Sequence, residues 1–204
     1  MELEFCRNIE DNEKIIKNEI ERILQKQFST KPENIEIVFM KGRGPEYLRD
    51  FIILQVEEGR YCQFIYQYSH EYTHHIFDNL YRSKGFHFDW FEEVICEAVS
   101  LWAFDHFSKR PDFWESLSQS SAPYVEEVKN YLKNEISRYN KDDSHIPEAY
   151  RYYHDRTVDI KRPLLKISAD LFHKLSNDEN AWRTIKRYNA IIYPQPPERP
   201  EWLK

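Results

Sequence analysis

From Arg60 to about Tyr81 no glycine or proline interrupts the chain. Phe64, Ile65, Tyr68, Tyr72, Ile76 and Leu80 recur there at helical spacing. The pattern predicts one long central helix, and such a helix must lay its apolar stripe against other elements. With 204 residues the chain can bury that stripe in a real core without disulfide staples. Its cysteines, Cys6, Cys62 and Cys96, are odd in number and far apart. That fits neither a disulfide framework nor a CxxC metal site, so reduced thiols and a cytoplasmic location are the expectation.

Around this helix the pattern predicts a short mixed start and many further helices. Ile9, Ile15, Ile16, Ile20, Ile23, Leu24 and Phe28 form an amphipathic stripe, which Asn8 or Asp11 could cap and which Pro32 follows. Ile35–Met40 alternates as a strand, and Phe51–Val56 is apolar enough for a second one. A second long helix is expected over Phe91–Phe107, with Pro111 stopping it. Another should start at Ser120-Ser121-Ala122-Pro123, and two more should lie near Leu164–Leu175 and Asn180–Ile192. Asn140–His145 reads as a polar loop and Pro194–Pro200 as extended chain. The expected class is α+β and mostly helical. An N-terminal sub-domain (1–82) would hold a small sheet and the central helix, and a helical C-terminal sub-domain (83–204) would follow.

Composition removes several functions. Net charge is −6 with scattered basic residues, which argues against nucleic acid as a partner. No apolar run is long enough to span a bilayer, and the first residues do not read as a secretory signal. Only four glycines occur, too few for a convincing phosphate-cradling loop, and Gly42-Arg43-Gly44-Pro45 reads as a turn.

The central helix carries His70-Glu71-Tyr72-Thr73-His74, an HExxH pattern. Residues four apart on a helix differ by about 40° of rotation and about 6 Å of rise. Both imidazoles can therefore reach one zinc at about 2.0–2.1 Å. Glu71 is rotated off that axis, where a general base for an attacking water is needed. His75 lies about 100° round the helix, so it is expected to pack or face solvent rather than ligate.

Zinc in such a site needs a third protein ligand. Glu92, Glu93 and Glu97 are the candidates, with Cys96 chemically possible. Glu93 is favoured because a turn at Gly85 can fold its helix back onto the first. Glu97, four residues on, shares its face and can orient a ligand histidine. Glu92 faces about 100° away and reads as solvated, and Cys96 reads as a buried small thiol.

HExxH, an eighteen-residue gap and then Glu93 together resemble the gluzincin metallopeptidases. Trp90, three before the glutamate, resembles their aminopeptidase branch, and Glu97, four after it, resembles the thermolysin branch. Repressor-cleaving HExxH proteins of bacterial mobile elements are also similar. The resemblance covers His70 to about Glu97. It extends weakly to Phe51–Val56, placed where the family has a substrate-pairing edge strand. No Gly-Ala-Met-Glu-Asn-like stretch precedes it, so an N-terminal amine pocket is not implied. The resemblance implies a zincin-like fold and one zinc ion on His70, His74 and Glu93, with Glu97 behind them. It implies peptide hydrolysis through a Glu71-activated water, with a tyrosine or histidine downstream to stabilise the oxyanion. Tyr150, Tyr152, Tyr153 and His154 are candidates for that donor, and Tyr153 and His154 are preferred. The expected partner is a peptide or protein substrate. The competing expectations are a catalytically weak zinc-binding regulator on the same fold and a metal-free helical interaction protein.

Overall fold

The computed structural model describes residues 7–42, 44–81, 89–117, 122–139 and 161–191. Helix α1 spans Asp11–Phe28, and its buried stripe is Ile16, Ile20, Ile23, Leu24 and Phe28. Its cap residue is Glu10, rather than Asn8 or Asp11. Glu13 turns back to accept the Glu10 N–H at 3.0 Å. The same carboxylate, 0% exposed, takes two Arg7 guanidinium nitrogens at 2.6 and 2.7 Å. Arg7 also donates to the Val56 carbonyl at 3.2 Å and stacks 3.8 Å over the Phe39 ring. One buried ion pair thus ties the helix start to the sheet.

The sheet has three strands, one more than the sequence suggests: β1 Glu36–Phe39, β2 Glu46–Leu48 and β3 Phe51–Leu54. Their order is β1-β3-β2, with β1 parallel and β2 antiparallel to β3. The strand expected at the edge, β3, is therefore central, and Ile52, Ile53 and Leu54 are fully buried. Both of its sides are already paired, so it cannot take a substrate strand. The edge position next to it belongs to β2, hidden in the sequence because three residues cannot display alternation.

Helix α2, Tyr61–Tyr81, packs against β2 and β3 through its apolar stripe. Gln67, buried on α2, accepts the Gln55 N–H at 2.9 Å and donates to the Gln55 carbonyl at 3.2 Å. That amide seals the open end of β3 and fixes the helix against it. Helix α3, Asp89–Ser108, buries Val94, Ile95, Cys96, Ala98, Val99, Leu101, Ala103, Phe104 and Phe107. A helix apolar nearly all round is an interior helix, and α3 is surrounded accordingly: α2 lies on it together with α4 (Pro111–Leu117), α5 (Ala122–Tyr139) and α6 (Lys161–Asn177).

Pro111 does not merely stop α3; it starts α4, where a missing N–H costs nothing and a fixed φ suits the first turn. Trp114 on α4 is fully buried and donates its indole N–H to the Phe107 carbonyl at 3.0 Å. Trp182 on α7 (Glu179–Ile191) does the same to Leu175 at 3.0 Å. Both indoles cross a helix junction and satisfy a carbonyl at the end of the preceding helix. One apolar cluster runs from Ile16 on α1 to Ile185 on α7 and crosses the boundary expected at residues 82–83. The protein is α+β and mostly helical with a small sheet, and no described helix is long and apolar enough to cross a membrane.

Candidate metal centre

Helix α2 presents His70 and His74 from successive turns, with ring centroids 5.1 Å apart. Helix α3 packs beside it and brings Glu92, Glu93, Cys96 and Glu97 against these rings. Glu93 stands across both histidines. One of its oxygens is 3.3 Å from His70 Nε2 and the other is 3.3 Å from His74 Nε2.

The far ring nitrogens have carboxylates of their own. His74 Nδ1–H donates to Glu92 at 2.7 Å. His70 Nδ1 lies 3.9 Å from Glu97, too far for a hydrogen bond. Glu97 instead accepts the Tyr66 hydroxyl proton. Glu92, expected in solvent, thus orients a histidine more closely than Glu97 does. Its side chain is long enough to reach back across the helix pair, which a wheel of Cα directions does not show.

Electrostatics follow from this crowding. Burial lowers the pKa of both imidazoles, but Glu93 and Glu97 beside His70, and Cys96, Glu92 and Glu93 beside His74, more than reverse it. Both end above the ordinary histidine value. Burial would raise the Glu93 carboxyl, but the two histidines hold it well below the usual carboxylate range. Glu71 is 5% exposed, and burial raises its carboxyl against the pull of His70 and His74. A hydrogen bond from the Tyr47 backbone on β2 also lowers it. Burial pushes the Cys96 thiol up to about 12.

The donor types present, imidazole, carboxylate and thiol, are ones that zinc accepts. If His74 gives its Nδ1 proton to Glu92, a neutral ring turns the Nε2 lone pair toward Glu93, and a carboxylate only accepts. A positive charge must sit between them, carried by a proton or a cation. Donors at about 2.0–2.1 Å from a tetrahedral ion are about 3.3 Å apart. The two Nε2–Glu93 separations are of that length, each to a different oxygen of the carboxylate. They are longer than the about 2.7–2.9 Å of a charge-assisted hydrogen bond. Cys96 adds a soft donor: ligand atoms of His70, His74 and Cys96 all lie within 4.8 Å of one another.

Of the residues expected in the site, His70, Glu71, His74, Glu93 and Glu97 lie in this region of α2 and α3. Tyr153 and His154, like Tyr150 and Tyr152, fall outside the described residues. His75 is buried on another face, its Nε2 2.8 Å from the Glu33 carbonyl, and pins the approach to β1. Glu92 and Cys96 were set aside in the sequence. Cys96 had a signal, since Glu93 and Cys96 are three apart and neighbours on one helix surface.

The chain matches no protein-family model, no curated protein and no solved structure.

Proposed function

We propose that the protein is a zinc-dependent metallopeptidase of gluzincin type, with a zincin-like N-terminal half. The observation that carries this is Glu93 set 3.3 Å from both His70 Nε2 and His74 Nε2, beside a Glu71 that none of the three needs as a ligand. A purely structural ion does not require a carboxylate between the two histidines in sequence. Zinc in this set supplies Lewis acidity toward a peptide carbonyl and toward water. Glu71 takes a proton from the attacking water and delivers it to the leaving amine. Glu92 holds the His74 ring in the tautomer that frees Nε2. The edge strand β2, packed on α2, offers backbone groups to an extended peptide, although the Tyr47 backbone is already engaged by Glu71. Unpaired Cys62 and Cys96 suit a reducing compartment such as cytoplasm.

The buried thiol of Cys96 beside His74 favours a second reading: a zinc-binding regulatory or interaction protein with little turnover on the same fold. Metal content and peptide cleavage separate the two. Wild type should retain about one zinc and His74→Ala should lose it; equal content in both rules out the site. A fluorogenic peptide library should be cleaved by wild type and spared by Glu71→Gln with zinc still bound. Zinc retention without cleavage by wild type selects the regulator.

A further inference from the structure

The geometry points to Cys96 as a fourth donor to the metal, making the resting centre a closed His70–His74–Glu93–Cys96 set rather than three ligands and an open position. This rests on the metal site proposed above and adds its resting state.

The placement carries the case. Glu93 is 41% exposed on its side chain and meets the histidines from the solvent side. Cys96 is 0% exposed and meets them from the core. Glu93 thus stands 3.3 Å from each imidazole Nε2, and the ligand atoms of Cys96 and the two histidines lie within 4.8 Å of one another. Both lie on α3, one turn apart, while both histidines lie on α2, one turn apart. The two helices each contribute two donors from adjacent turns.

The chemistry agrees. Among the described cysteines, Cys62 and Cys96 are both free, but only Cys96 lies in a cluster able to hold a metal. A coordinated thiol gives up its proton and becomes a strong, soft donor. The set of two imidazoles, one carboxylate and one thiolate selects zinc or another thiophilic ion over magnesium or calcium. In such a set the thiolate would occupy the position that a catalytic zinc keeps for water.

Cobalt(II) substitution of the full-length protein tests this without reference to activity. Wild type should show intense visible bands of a tetrahedral ion together with a near-ultraviolet thiolate-to-cobalt charge-transfer band, at one equivalent. Cys96→Ser should lose the near-ultraviolet band, keep visible bands, and bind zinc more than about tenfold more weakly, the scale of loss seen for supporting groups alone. Cys62→Ser should leave the spectrum unchanged. Wild type with visible bands but no charge-transfer band overturns the Cys96 assignment and leaves the metal site standing. The same holds if the band persists in Cys96→Ser. Wild type that takes up no cobalt overturns both. The wild-type spectrum decides even if a cysteine variant does not fold.

Discussion

His74 Nδ1 lies 2.7 Å from a Glu92 carboxylate oxygen, the shortest of the histidine–carboxylate contacts between α2 and α3. His70 Nδ1, by contrast, is 3.9 Å from Glu97. Glu92→Gln should therefore lower zinc affinity by roughly 10–100-fold, and Glu97→Gln should lower it less. Competition against a chromophoric chelator measures both. A larger loss for Glu97 would reverse the roles of these two carboxylates.

Arg7 should matter more than its place near the chain start suggests. It is the charge partner of Glu13, which is 0% exposed. Arg7→Ala strands that carboxylate and should cost about 3–5 kcal/mol in urea denaturation. The double variant Arg7→Ala with Glu13→Gln should recover part of the loss, because no buried charge remains.

Acid should loosen the junction of α1 with α3. Burial pushes the Glu19 carboxyl up, but Arg22 and His106 outweigh it and hold it at about 2, against an ordinary 4.5. Arg110 adds a contact at 3.1 Å. A depressed carboxylate contributes stability that is fully present above 4.5 and is lost as pH falls toward 2. His106 works in the same direction: burial lowers its pKa, so the folded state resists protonating it. Glu19→Gln should flatten the fall in stability over that window, by about 1–2 kcal/mol once solvent screening of this part-exposed pair is allowed for. Thermal melts of the two proteins at matched pH values give the answer, and parallel curves would remove Glu19 from the account.

Gln67→Leu should cost about 1–3 kcal/mol despite being nearly isosteric, because the Gln55 N–H loses its partner. Chemical denaturation reads the loss. Amide exchange at Gln55 should accelerate in the variant, and unchanged protection would show that another group takes over the bond.

Much of this fold is legible along the chain, and the illegible parts have identifiable causes. The stripe from Phe64 to Leu80 and the glycine- and proline-free run around it announce α2, because period and length agree there. Strand order is different in kind. Nothing local to Phe51–Leu54 says that two strands flank it, and β2 is too short for a pattern. Pro111 carries two meanings, the end of one helix or the first turn of the next, and only tertiary packing of Trp114 selects the second. The HExxH spacing sets His70 and His74 one turn apart by helix geometry alone, whereas Glu93 is favoured through the turn before its helix and the family resemblance. Glu92 and Cys96 depend on how α3 crosses α2, and a helical wheel contains no crossing.

Two of the proposed donors sit on α2 and the others on α3. An ion held by both helices, as proposed, would act as a clasp, gripping the native chain and finding no such grip on the unfolded one. Each occupied centre then adds RT ln(1 + [L]/Kd) to stability, about 2.7 kcal/mol at a hundredfold excess over Kd. The melting temperature of this protein would consequently rise and fall with free metal concentration, making the fold itself a gauge of the ion.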